Sequence, residues 1–358
     1  QVKSPAIDVS AIGAGGGSIA WIDDGGALKV GPHSAGASPG PVAYGLGGEH
    51  ITLTDANLIL GRLNPSTLLA GDIALDLDKA YVEMKRQISS PLCLSVEAAA
   101  TGIIKIASSG IARAIRGVAS AKGNSPSEFS LFAYGGAGPL CAADVNEEVG
   151  CPRIIIPPAP GTLCARGILL SDLSFDFVRS LLVLAEVDGW EVVMDNLEAL
   201  KEQANKLFIG DEVLPNARSF KYYLEARYKG QSYELRIALP GQINSGSLVE
   251  FIAAFHAEHK KEFGYELVER PIEIVNLRLE AMGKTSKPIT EKATQNKTEL
   301  KVKEIREVYF GSSFGWKETP VYERADISHR AKVAGPAIIE EMSSTTILPP
   351  NYKATVDT

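Results

Sequence analysis

Cysteine is scarce in this chain: 4 in 358 residues. Cys93, Cys141, Cys151 and Cys164 include no C-x-x-C pair, which argues against a disulfide scaffold and predicts reduced thiols in a cytoplasmic setting. Cys151 and Cys164 are expected in the core. Basic charge is short as well. Lys and Arg number 36 against 43 Asp and Glu, a formal net charge of −7, and no Lys/Arg stripe offsets it, so a nucleic-acid surface is not expected. No hydrophobic run reads as a membrane span, no signal peptide opens the sequence, and no internal repeat is visible. Histidine is rare. His33 and His50 lie among glycines, His329 stands alone, and His256 and His259 fall on a predicted helix. Their neighbours Glu258, Lys260, Lys261 and Glu262 make that helix face read as solvated rather than metal-binding. The chain starts at Gln1 rather than Met, as a fragment or processed chain would.

Glycine, by contrast, is plentiful, and two clusters organise the reading. The first, Gly13-Ala14-Gly15-Gly16-Gly17-Ser18, lies between apolar runs and predicts strand, tight turn, strand. Glycines there let backbone N–H groups approach a phosphate; a ligand-free hairpin is the competing reading. A further hairpin is predicted around Asp23-Asp24-Gly25-Gly26, and a short helix begins near Leu53 with Thr54 or Asp55 as its cap. Helices are predicted over 73–90 and 95–122. The second cluster, Gly135-Gly136-Ala137-Gly138-Pro139, follows a short apolar run and opens a helix, whose free N–H groups and positive dipole end favour an anion. A third turn, Pro157–Gly161, has the same strand-to-helix setting. Convergence of these loops predicts a nucleotide cleft. Beyond residue 176, helices are predicted over 189–208 and 247–263, and alternating strands over 221–228, 232–239 and 272–281. A polar linker follows residue 283, and then a β-rich end. The expected domains are 1–175, 176–285 and 286–358.

Several long strings together carry a family likeness: GAGGGSIAWIDDGGALKVGP, TDANLILGRLNP, FAYGGAGPLCAADV, RYKGQSYELRI, FGYELVERPIEIVNLRLEAMG and GPAIIEEMSSTTILPP. The chain resembles the hydantoinase A/5-oxoprolinase family over its whole length. The resemblance implies an α/β, actin-like ATPase lobe followed by α+β and β-rich C-terminal domains, with ATP and Mg²⁺ as cofactors. It implies nucleotide contacts from Gly13, Gly15, Gly16, Gly17 and Ser18 (the second phosphate loop) and from Gly135, Gly136, Ala137 and Gly138 (the adenosine side). Asp8, Asp55 and Asn57 are then catalytic candidates lining the cleft, Asp8 also toward metal. A cap or turn role is the alternative for both acids.

Two departures stand out. Ser10 and Cys141 occupy positions where family members often carry histidine. A second divalent metal then has only Cys141 as a candidate ligand, against the reading of a buried small apolar residue. The first phosphate loop, D-x-G-G-T-x-T-D, is absent from the sequence. The chain therefore resembles the C-terminal half of a family member, and the expected partners are the half carrying that loop, a hydantoinase B-type subunit and a small-molecule substrate. Three readings follow. The first is an ATP-dependent cyclic amide hydrolase component, the second a ketone carboxylase subunit, and the third a degenerate scaffold, with Gly16→Val in the full complex as the discriminating substitution.

Overall fold

The glycine-rich opening folds as one hairpin preceded by a loop. In the computed structural model, which describes residues 9–66, 74–241, 243–287 and 300–357, β1 (Ser18–Ile22) pairs antiparallel with β2 (Leu28–Ser34). The Asp23 carboxylate closes their turn by accepting from the Gly25 N–H at 3.1 Å and the Ala27 N–H at 2.8 Å, an Asx-type turn. The strand expected ahead of the glycines does not form among residues 9–17. Asp8 lies outside the described residues.

Local chemistry sets the next elements. α1 (Leu53–Ile59) is capped by Thr52, not by Thr54 or Asp55. Asp55 is the third residue of the helix, and its carboxylate accepts from the Thr52 N–H at 2.8 Å. The two residues form a reciprocal capping box, so the cap lies ahead of the expected residues while the helix begins at Leu53 as expected. α2 (Leu77–Met84) continues into a π turn over Lys85–Ser89, within the helix predicted over 73–90. α3 (Val96–Ala121) starts where Ser95 accepts from the Ala98 N–H. By length and composition α3 is long and apolar enough to cross a membrane, which corrects the reading that no run is. Its stripe Ala99, Ala100, Ile103 and Ile104 is spent in a core shared with Ala20, Leu53 and Met84. β3 (Leu131–Phe132), α4 (Gly138–Val149) and β4 (Ile154–Ile155) form a small β–α–β unit with parallel strands, and α5 (Leu163–Leu170) follows.

The described residues fall into two compact units, one within Gln1–Arg166 and Thr290–Thr358, the other within Gly167–Ile289. The second unit holds β5 (Leu173–Leu184), α6 (Val187–Gly210), β6 (Arg218–Tyr228), β7 (Leu235–Ala238), α7 (Ser247–Phe263) and β8 (Ile272–Gly283). Its antiparallel sheet has the order β5-β8-β6-β7. Alternation works as predicted: Tyr222, Leu224, Ala226 and Tyr228 share one buried face with Trp190, Phe208, Phe251 and Phe255 of the helices. His259 corrects the solvated-face reading. It is buried, with Nδ1 2.9 Å from the Tyr265 carbonyl and its ring against Tyr228 and Phe263.

The C-terminal strands belong to the first unit instead of forming a third domain. β9 (Glu304–Tyr309), β10 (Trp316–Glu323), β12 (Ala337–Glu341) and β13 (Ser344–Leu348) make a sheet of order β13-β12-β10-β9, beside a ribbon of β11 (Lys332–Ala334) and β14 (Lys353–Thr355). Val308, Val321, Ile338 and Ile347 bury in the same core as α1 and α3, and the Tyr309 N–H donates to the Leu60 carbonyl at 3.0 Å. A 58-residue β segment has too little apolar surface of its own to forgo that burial. Cys151 is buried as expected, whereas Cys164 is exposed.

Candidate functional site

Both glycine clusters reach one cavity of about 580 Å³ in the first unit. Gly16 comes from the first cluster and Gly136 and Ala137 from the second. Thr54 and Asn57 of α1, Leu140 and Cys141 of α4, and Lys303, Glu323 and the run Glu340 to Thr345 are among the other lining residues.

Most of the first cluster serves the fold. A Cβ on Gly13 would lie 3.1 Å from Pro32, one on Gly17 2.8 Å from the Ser34 hydroxyl, and one on Gly16 2.9 Å from the Thr54 hydroxyl. Glycine lets the loop lie against β2 and α1. The Ser18 hydroxyl accepts from the Gly15 N–H at 2.9 Å, and the Ser18 N–H returns to the Gly15 carbonyl. Thr54 donates both its N–H and its hydroxyl to the Gly16 carbonyl, each at 2.9 Å. Gly13, Gly17 and Ser18, expected as phosphate contacts, thus hold the loop's shape and do not line the cavity; Gly15, where a Cβ would meet nothing, does not line it either, and Gly16 does.

The second cluster is different. Gly135 needs its left-handed φ of 84° and ties the turn to the next one through its N–H, 2.8 Å from the Pro160 carbonyl. A Cβ on Gly136 would find only the Ser343 carbonyl at 3.5 Å, and one on Gly138 only Ala133 at 3.7 Å. Packing therefore leaves room for a side chain at both positions, and at Gly136 that room lies on the cavity. α4 begins here with Ala137 as its N-cap, no side chain capping it, and Pro139 in its first turn. The N–H groups of that turn and the positive end of the helix dipole are available to an anion, as a phosphate requires.

Asn57 adds an acceptor. It is 4% exposed, its Nδ2 donates to the Leu53 carbonyl at 2.9 Å, and its Oδ1 has no partner. An orphaned buried acceptor at a cavity wall suits a ligand's hydroxyl or amino group.

Asp55, expected beside it, is a correction. The carboxylate is buried and turned away from the cavity, accepting from the N–H groups of Val42 (3.3 Å), Ala43 (2.8 Å) and Thr52 and from the Thr52 hydroxyl (2.7 Å). Burial raises its pKa above the ordinary 3.8, against the opposing pull of those donors. Cys141 is a second correction. Burial, then Asp144, push its thiol up to about 11, and its Sγ faces the Gly138 carbonyl. No group of three His, Cys, Asp or Glu among the described residues is placed to hold a metal with it.

The far wall comes from residues that sequence order hides. Glu341, at the β12–β13 turn, accepts from the Ala159 N–H at 3.1 Å and from Arg324 at 3.0 Å, while Arg324 also donates to the Ile156 carbonyl. This ties the turn to the β4–α5 loop, where a Cβ on Gly161 would lie 2.7 Å from the Ser343 carbonyl. Lys303 donates to Glu323 (3.1 Å) and to buried Glu340 (3.0 Å), which also pairs with Arg306 at 2.8 Å. These pairs hold the Lys303 ammonium above its usual pKa, the Glu340 bond most of all. GPAIIEEMSSTTILPP carried this signal, yet it begins at Gly335, far along the chain from the clusters at Gly13–Ser18 and Gly135–Pro139.

Two glycine turns, an uncapped helix N-terminus and a wall of β-hairpin define a mixed α/β protein with a site suited to a phosphorylated ligand. The chain belongs to the hydantoinase/oxoprolinase family: the Hydantoinase/oxoprolinase model matches residues 1–177 and the Hydantoinase/oxoprolinase C-terminal domain model residues 186–358. An uncharacterized protein of Methanocaldococcus jannaschii is 39% identical over 99% of this chain and 50% of its own length. Caprolactamase subunit alpha of Pseudomonas jessenii is 36% identical over 100% of this chain and 52% of its own. The crystal structure of the ATP-dependent caprolactamase from the same organism matches with a TM-score of 0.70 over 98% of this chain. Nucleotide-free acetone carboxylase matches at 0.86, with 26% identity, over 96% of this chain and 50% of that one. The chain spans 50–52% of the length of the first two relatives and 28–29% of that of the 5-oxoprolinases it also matches.

Proposed function

We propose that this chain forms part of the ATP cleft of a cyclic amide hydrolase component, with a lactam or hydantoin as substrate class. One observation carries the reading: the uncapped start of α4, with space left at Gly136, opens into the same cavity as Gly16 and the unpartnered Asn57 Oδ1. Family membership and the ATP-dependent caprolactamase relative support it.

The chain's own share is binding and orientation. The N–H groups of the first turn of α4 hold phosphate oxygens, where dipole and hydrogen bonds act together. Asn57 Oδ1 accepts from the ligand and fixes its register. Glu341 and Arg324 hold the β12–β13 turn against the β4–α5 loop and so keep the cavity's width. ATP would supply the phosphoryl group that, placed on the amide oxygen, makes the carbonyl carbon electrophilic enough for water, after which the ring C–N bond breaks with the amine leaving; this offsets the resonance of an unstrained ring. The first turn of α4 would hold the phosphates, and Mg²⁺, which needs only one or two carboxylates beside the phosphate oxygens, would come with the nucleotide. The same reading includes an actin-like ATPase lobe, a cytoplasmic setting, a partner half with the first phosphate loop, and a B-type subunit that completes the hydrolysis.

A ketone carboxylase subunit is the second reading, favoured by the backbone match to acetone carboxylase. The test is ADP release by the protein isolated from its source, with lactams and hydantoins in one series and ketones plus bicarbonate in the other. The first reading expects lactam- or hydantoin-dependent release that Gly136→Val abolishes with the fold intact. Release only with ketone and bicarbonate favours the second reading, and no nucleotide turnover in either series favours a scaffold.

A further inference from the structure

We infer that Arg62 is a positioning residue for the cavity, setting the Asn57 acceptor in register with the first turn of α4. The inference deepens the nucleotide reading above and rests on it.

The way α1 ends makes the case. The Gly61 N–H donates to the Leu58 carbonyl at 2.9 Å and the Arg62 N–H to the Asn57 carbonyl at 3.0 Å, the paired bonds of a Schellman turn. Glycine is required between them: Gly61 has a φ of 75°, and a Cβ there would run into the Glu307 carbonyl. Such a turn often sets two apolar side chains against each other at the ends of its longer bond. Here those ends are Asn57 and Arg62, both polar and both buried, at 4% and 7% exposure. Apolar residues would close this helix equally well, so the turn alone does not account for the pair.

The two side chains divide the work. Asn57 leaves its Oδ1 without a partner at the cavity wall. Arg62 reaches α4 and forks onto Asp144, Nη1 donating to Oδ2 at 2.6 Å and Nη2 to Oδ1 at 3.3 Å. Asp144 stands three and four residues beyond Cys141 and Leu140, one turn further along the same face of the helix, and both of those residues line the cavity. A two-pronged bond between planar groups fixes orientation as well as distance. Lysine would keep the charge and lose that alignment. α4 is already anchored on α3, where Val145 and Val149 pack with Ala112, so what Arg62 adds is the placement of Asn57. Its backbone holds the Asn57 carbonyl, and its side chain holds the helix whose first turn receives the phosphates.

A double-mutant cycle on the whole assembly tests this, with Mg²⁺-ATP as the probe in calorimetric titration. Asn57→Ala and Arg62→Lys should each weaken binding about 5–10-fold, the worth of one hydrogen bond. Asp144→Asn breaks the fork from its other side and should match Arg62→Lys. Because Arg62 acts through Asn57, neither Arg62→Lys nor Asp144→Asn should weaken binding further in an Asn57→Ala background. Amide exchange over α3 should stay unchanged throughout. Losses that multiply in the double variants would overturn the inference, as would a loss in Arg62→Lys accompanied by faster exchange along α3. Native binding by Arg62→Lys and Asp144→Asn, with Asn57→Ala weakened, would overturn it and leave the nucleotide reading standing. Native binding by Asn57→Ala would overturn both.

Discussion

Asp55→Ala separates a structural from a chemical role for the acid that the family likeness placed in the cleft. The substitution leaves the N–H groups of Ala43 and Thr52 and the Thr52 hydroxyl without their acceptor, all bonded within 2.8 Å, together with the longer bond from Val42. A buried donor left unsatisfied costs about 1–3 kcal/mol. With the relief of desolvating the carboxylate subtracted, the expected loss is about 3–5 kcal/mol in the first unit. Urea unfolding followed by amide exchange over residues 42–60 reads this as a lower midpoint with an unchanged slope. Asp55→Asn keeps one acceptor and should cost about 1–2 kcal/mol. The sign of the pH dependence is fixed too. The folded carboxyl titrates above 3.8, so the folded state holds the proton more tightly, and this group's contribution to stability falls as pH rises through the raised value. Asp55→Asn should remove that component. Unchanged stability in Asp55→Ala, with turnover lost, would refute the reasoning and return Asp55 to the chemistry.

Further predictions concern other parts of the molecule. With its thiol pushed up to about 11, Cys141 should be alkylated at pH 8 well after the exposed Cys93 and Cys164, as peptide mapping over time would show; simultaneous labelling would contradict the assigned burial. Glu341→Gln should weaken nucleotide binding about 10-fold by loosening the turn held to Ala159 and Arg324, with little change in urea midpoint. Tyr228→Phe removes a hydroxyl 2.6 Å from His256 Nδ1 that also accepts from the Leu267 N–H, so the second unit should lose about 1–3 kcal/mol in the same unfolding assay.

What the sequence made legible were features with a local cause. The 3.6 period of α3, the alternation of β6 and β8, and the proline at the start of α4 each act within a few residues. The N-cap falls two or three residues ahead of the expected Thr54 or Asp55 because Thr52, Thr54 and Asp55 all carry capping side chains, and only the backbone decides among them. Half the site was equally local, in Gly136, Ala137 and Asn57. The rest depended on distant partners. Nothing near Glu341 announces that it will bond Ala159, and nothing near Val308 or Ile347 says their strands will fill the core around α1. The glycines at 13 and 17 show the converse. Their pattern suggested a ligand, whereas they stand off the cavity and close approach of Pro32 and Ser34 accounts for them.

The most direct test of the nucleotide cleft is amide hydrogen exchange on the protein isolated from its source, with and without Mg²⁺-ATP. The proposed cleft predicts slower exchange over residues 136–141 at the start of α4 and over 341–345 at the β12–β13 turn, with β6 and β8 unaffected. Unchanged exchange in both segments, while nucleotide is bound, would contradict it.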